Sequence, residues 1–141
     1  MKVKSLELTD FRNYDFLSVE FDDHTNLIYG DNAQGKTNIL ESLFVCATSK
    51  SHKGAKDKEM IHFEKEEAHI KSLIERGNRQ DTIDIHLRKG KKKSILINKV
   101  PLKKASDLFG IMHVVFFSPE DLNLIKNSPS ERRRFLDQEL C

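Results

Sequence analysis

The residues Gly30 to Thr37 read GDNAQGKT and match the phosphate-binding pattern G-x-x-x-x-G-K-[ST] at every fixed position. A nucleoside triphosphate tail concentrates negative charge. Backbone N–H groups of a glycine loop can converge on it, and the positive end of the following helix adds to the attraction. Gly30 and Gly35 permit turns and approach distances that a Cβ would block. Lys36 is placed to reach the β- and γ-phosphates, and the Thr37 hydroxyl to bind Mg²⁺, which prefers oxygen ligands. The predicted nucleotide site is therefore Gly30, Asp31, Asn32, Ala33, Gln34, Gly35, Lys36 and Thr37. Asp31 lies in the variable part of the loop and is no obvious metal ligand.

Such a loop needs a strand before it and a helix after it. Thr25 to Tyr29 supplies an apolar run, and Lys36 to Thr48 places Ile39, Leu40, Leu43, Phe44 and Ala47 at spacings of three and four. Upstream, Val3 to Leu8 and Leu17, Val19, Phe21 alternate as two strands around a turn at residues 11–14. Residues 49–58 are polar and predict an exposed loop. Between residues 67 and 100 the pattern predicts an antiparallel sheet. One strand runs through Ala68, Ile70, Leu73 and Ile74, with a turn at Gly77-Asn78. The next carries Ile83, Ile85 and Leu87, and a basic turn at 88–93 leads to Ile95 and Ile97. A short helix follows from Lys103 to Phe109, then a buried strand from Met112 to Phe117. Helices are expected after Pro119 and from Ser128-Pro129, the second still running at Leu140-Cys141. That uncapped end predicts that the chain is part of something longer.

Composition narrows the function classes. The chain has 141 residues, 24 basic and 22 acidic, for a net charge of +2. No global field draws it to nucleic acid, so such contact must come from local clusters. No stretch is apolar enough to span a membrane, and no signal peptide is visible, which predicts a cytoplasmic protein. Cys46 and Cys141 make no disulfide framework. The six histidines form no metal-ligand pair at finger or HExxH spacing. An ATPase also needs an acid at the end of an apolar strand. The one candidate, HVVFFSPED at 113–121, puts Glu120 and Asp121 too far past the run, and they read better as first-turn acids of the next helix. No catalytic residue is assigned within the chain.

The segments LTDFRNY (8–14), GDNAQGKTN (30–38) with ILES after it, ATSKSH (47–52), DKEMI (57–61), INKVPL (97–102) and above all FFSPEDLNLIKNSPSERRRFLD (116–137) are similar to the N-terminal part of the RecF family. These are bacterial DNA replication and repair proteins, ABC-type ATPases related to SMC proteins. The resemblance implies an α/β fold of ABC-ATPase head type over residues 1–141, an N-terminal lobe with a mixed or antiparallel sheet around the P-loop helix. Walker B and signature motifs are then expected beyond the chain. It implies ATP and Mg²⁺ as ligands, ATP-dependent dimerisation with a second head, binding of single-stranded or gapped DNA, and RecR and RecO as partners. By position, Asn38 caps the nucleotide site, Arg12 lies near the nucleotide, and Ser118, Pro119 and Glu120 occupy the Q-loop place without its glutamine. Lys53 stands where the family often has arginine.

Two basic clusters are candidate DNA contacts. Arg88, Lys89, Lys91, Lys92 and Lys93 present five cations on a hairpin tip, which suits phosphate contact or simple solvation equally. Lys53 joins them as a candidate, and Arg132-Arg133-Arg134 reads as structural. On this reading the chain binds ATP with little turnover of its own. Two other classes stay open: a small phosphotransferase of nucleoside-kinase type, and a non-catalytic interaction module with a vestigial loop.

Overall fold

The computed structural model describes residues 1–32 and 34–118. Strand β1 (Lys2–Phe11) turns into β2 (Tyr14–Glu20), and helix α1 spans Lys36–Thr48. Then come β3 (Glu67–Arg76), β4 (Arg79–Arg88), β5 (Ser94–Ile97) and β6 (Val100–Pro101), with 3-10 turns at Asp57–Glu59 and Ala105–Leu108. The strands form one sheet in the order β2-β1-β3-β4-β5-β6, every pair antiparallel.

Period-two alternation fixes which face is buried. Leu17, Leu8, Ile70, Ile85 and Ile95 face one another across five strands and form an inward row. Leu8, Ile70, Ile74, Ile83, Ile85 and Leu87 are wholly buried. Burial of each such side chain contributes about 1.5–3 kcal/mol. The next row, Phe16, Thr9, His69, His86 and Ser94, points outward. Helix α1 covers the inward face with Ile39, Val45, Cys46 and Ala47. Its buried stripe differs from the expected one. Leu40 is exposed, Leu43 and Phe44 are half-buried, and the polar Glu41 and Ser42 are fully buried.

Turn chemistry closes the hairpins. Gly77 (φ 58°) carries the β3–β4 turn. Asn98 (φ 52°) and Lys99 (φ 68°) both take the left-handed conformation that a two-residue hairpin requires, and so create β6. That short strand has no apolar alternation to announce it. The expected helix at 103–109 is the 3-10 turn Ala105–Leu108. The 49–58 loop is less exposed than its composition suggests, because Ser49 and Ser51 are buried.

Two expected strands are corrected. Residues 25–29 and 112–117 carry no ladder among the described residues. Both still alternate. Ile28 and Val114 pack against the core, and Phe116 meets the rings of Phe44 and His52 at 5.7 and 4.2 Å. Leu27, Tyr29, Val115 and Phe117 point out and are 72–100% exposed. The apolar composition was read correctly, but no described strand lies beside either run to turn it into sheet. The expected helices after Pro119 and Ser128 lie outside the described residues. No described helix is long and apolar enough to cross a membrane.

Candidate nucleotide-phosphate site

The loop from Gly30 to Gly35 ends at the start of α1. Gly30 (φ 145°) and Gly35 (φ 91°) hold backbone conformations that side chains rarely adopt. At Gly35 the crowding is also physical: a Cβ there would lie 2.6 Å from Asn13 Oδ1 and 2.7 Å from the Tyr14 hydroxyl. No side chain caps α1, and no acid sits in its first turn. Its leading N–H groups and dipole are thus left for an anion. Lys36 Nζ donates to Gly30 O at 2.8 Å and also to Asp31 O. The ammonium group is therefore held across the loop by neutral carbonyls, which a phosphate can outcompete.

A cavity of about 240 Å³ opens at this point, lined by Asn32, Gly35, Lys36, Thr37, Asn38 and Lys53. The structure thus gathers Lys36, Thr37 and Asn38 as expected and adds Lys53, assigned from sequence to DNA. Among the described residues no carboxylate lines the cavity. A larger groove of about 830 Å³ adjoins it, shares Asn38 and Lys53, and is bounded by Arg12, Asn13, Lys58 and Phe63 among others.

The β1–β2 turn grips the loop from one side. Tyr14 donates its hydroxyl to Gln34 O at 3.2 Å, and burial pushes that phenol above its ordinary pKa. Asn38 Nδ2 donates to Asn13 Oδ1 at 2.8 Å. Arg12, expected beside the nucleotide, lines the larger groove, but its guanidinium is turned to Glu41. Its Nε and Nη2 donate to the two carboxylate oxygens at 2.8 and 2.6 Å, and Nη1 donates to Glu59 O at 2.7 Å. Burial raises the Glu41 carboxyl, but the Arg12 fork and the Ser51 hydroxyl outweigh it and leave the pKa below the usual range. Sequence reading missed Glu41. The available signal was an acid on a helix face where the 3.6 period calls for an apolar residue.

The basic hairpin tip divides on inspection. Lys93 is mostly buried and bound to Asp57 at 2.8 Å and to Ser49 O, so it holds the loop in place. Lys89 pairs with Glu66 at 3.3 Å, and Arg88 is half-buried. Lys91 and Lys92 are exposed, and Lys92 shares a cavity of about 460 Å³ with Lys103 and Lys104. Ser118 is half-buried away from the cavity lining, whereas Ala33, Pro119, Glu120, Asp121 and the 132–134 arginines lie outside the described residues.

A glycine loop feeding an uncapped helix, with lysine and threonine at one small cavity, defines a P-loop nucleotide-binding domain of α/β type. The chain belongs to the AAA domain family, whose model matches residues 5–140. It is 61% identical over all 141 residues to the DNA replication and repair protein RecF of Agathobacter rectalis, and 62% identical over 141 residues to that of Lachnoclostridium phytofermentans. The chain spans 39% of the length of each of these relatives. Among solved structures it matches the recombination mediator protein RecF-ATP in the RecFOR pathway, with TM-score 0.87 and 34% identity over 97% of this chain and 38% of that one. A structure from work on ATP-driven dimerisation and DNA-stimulated activation of SMC ATPases shares the fold, with TM-score 0.78 and 18% identity, covering 96% of this chain and 97% of the other. The resemblance to RecF and the ATPase-head fold expected from it are borne out.

Proposed function

We propose that the chain is the ATP-binding part of a RecF-type DNA replication and repair ATPase. The observation that carries this reading is the convergence of Lys36, Thr37, Asn38 and Lys53 on one cavity at the uncapped start of α1. The triphosphate enters that cavity, the loop amides from Gly30 to Thr37 cradle it, and Lys36 exchanges its carbonyl partners for phosphate oxygens. Lys53 is a second cation for the same charge. The adjoining groove, which shares Asn38 and Lys53, takes the nucleoside. Thr37 offers a hard hydroxyl oxygen at the cavity and fits Mg²⁺, which would shield the phosphate charge when bound. Arg12 serves the site through Glu41 rather than by touching phosphate. Turnover by this chain is slight, because no described carboxylate lines the cavity to orient a water.

At the level of the whole RecF-type protein, we propose ATP-dependent pairing with a second head, binding of single-stranded or gapped DNA, work with RecR and RecO, and a cytoplasmic location. The exposed Lys91 and Lys92, rather than the paired Lys89 and Lys93, supply hairpin contacts to DNA phosphates. The name and identity of the relatives support this reading. Calorimetry with Mg·ATP tests the core of it. The expected result is binding by the wild type, loss of at least tenfold in affinity in Lys36→Ala, and negligible steady-state hydrolysis by either. Transfer of phosphate to a small acceptor would replace the reading with a kinase. Equal binding by both proteins would make the loop vestigial.

A further inference from the structure

We infer that Glu41 and Ser51 are positioning residues for the phosphate cavity, acting on Lys53 through a buried hydrogen-bond relay. This rests on the phosphate reading of that cavity. Glu41 has no exposed surface, yet it sits in α1 only five positions after Lys36. Both its oxygens are taken by the Arg12 fork, and Oε1 accepts a further hydrogen bond from Ser51 Oγ. A serine hydroxyl has one proton. Because Ser51 gives it to Glu41, its lone pairs face the other way and accept the backbone N–H of Lys53 at 3.1 Å. Ser51 O also accepts the N–H of Gly54 at 3.1 Å, so residues 51–54 form a tight turn whose hydroxyl is pinned to the helix. Arg12 closes the other side through Glu59 O, and its own N–H reaches Met60 O at 2.8 Å. One carboxylate thus fixes three separate segments: the β1–β2 turn, the P-loop helix and the 51–60 loop.

The segment it fixes carries a cation, Lys53, which is attracted to the Glu41 carboxylate without touching it. Lys53 lines both the phosphate cavity and the groove and makes no ion pair among the described residues, whereas Lys65, Lys71, Lys89 and Lys93 each do. An apolar core residue would pack at position 41 at no worse energy than a buried ion pair. What the ionic arrangement adds is direction. It orders a cation at the cavity mouth before any ligand arrives, so less freedom is lost on binding.

The test uses the full chain, titrated with Mg·ATP, with inorganic tripolyphosphate and with adenosine. Lys53→Ala should weaken the two phosphate probes by about threefold to tenfold, and Ser51→Ala by a similar or smaller factor. The double variant should be no weaker than Lys53→Ala alone, because both changes act on one cation. Ser51→Thr should restore binding, adenosine affinity should not move, and the melting temperature of Ser51→Ala should stay within a few degrees of wild type. Glu41→Gln should lose the same phosphate affinity. If it does not fold, Ser51→Ala still decides. Unchanged phosphate binding in Ser51→Ala, or a double variant whose loss is the product of the single losses, overturns the relay while Lys36→Ala still upholds the phosphate site. Failure of the wild type to bind either phosphate probe removes both.

Discussion

Gly35 joins two constraints in one atom's absence. Its φ of 91° is strained for any side chain, and the space a Cβ would need is held by Asn13 and Tyr14. Gly35→Ala should cost about 1–3 kcal/mol and also displace the loop amides, so nucleotide affinity falls with stability. Gly77→Ala is the control: its φ of 58° also strains a side chain, at about 1 kcal/mol, but nothing lies within 4 Å, so stability falls modestly and binding stays. Glu41 gives a pH prediction. Its folded pKa lies below the ordinary 4.5, so its contribution is fully present above that value and is lost as the pH falls through the folded value. Asp23, lowered from 3.8 to about 2 by hydrogen bonds from Lys4 and Lys2, acts in the same direction at lower pH in both proteins. Thermal melts from pH 7 downward should therefore show a steeper acid loss in the wild type than in Glu41→Gln, which starts less stable. Equal slopes would mean that Glu41 carries no linked charge. At this scale the residues that line the proposed phosphate cavity were legible, because Lys36 and Thr37 belong to a contiguous motif. The pairing of Glu41 with Arg12 was not, because partners 29 residues apart leave no local signal of each other, even though the acid itself breaks the apolar period of α1.

Among the elements, the β3–β4 hairpin shows what tertiary hydrogen bonds add to alternation. Asp81 is 1% exposed and accepts from Arg76, Arg79 and Asn98 at 2.7, 2.9 and 2.8 Å. Those bonds hold its carboxyl below the ordinary value, the Asn98 amide first and then the Arg76 guanidinium. Arg76 also donates to Gly110 O at 3.1 Å, which ties the hairpin to the segment after the second 3-10 turn. Asp81→Ala leaves Arg76 only its bond to Gly110 O and removes the Asn98 bond that ties the β5–β6 turn to β4, and should cost about 1–3 kcal/mol in urea unfolding. A loss under about 0.5 kcal/mol would reduce the cluster to surface decoration. Strands β1 to β5 were readable because each alternates over four or more residues. Strand β6 was not, since Val100-Pro101 is paired only by virtue of the Asn98-Lys99 turn. Helix α1 was placed correctly, but its buried stripe was read from hydrophobicity alone, which hides Glu41 and Ser42 and misplaces Leu40.

For the molecule as a whole, one sheet face is packed and the opposite one is wet, while two apolar runs present half their side chains to solvent. Val115 is fully exposed, Tyr29 is 85% and Leu27 81% exposed. Apolar side chains left exposed along two runs favour association. The chain should bind a hydrophobic dye and sediment with a concentration-dependent mass, and Leu27→Lys with Val115→Lys should lessen both without lowering the melting temperature. Dye binding unchanged by those substitutions would place the sticky surface elsewhere. The net charge of +2 gives no counterweight of global repulsion. Fold class was legible at this scale because the motif and the antiparallel spacing agree. The missing ladders at 25–29 and 112–117 were not, because an apolar run states that a strand is covered without stating by what.

The central claim is that backbone amides at the start of α1 grip a triphosphate, and amide chemical shifts during a Mg·ATP titration of labelled chain test it most directly. The largest shifts should fall on Gly35, Lys36 and Thr37, with smaller ones at Asn38 and Lys53, and should vanish in Lys36→Ala. Shifts confined to the 88–93 hairpin, or a pattern unchanged by Lys36→Ala, would contradict it.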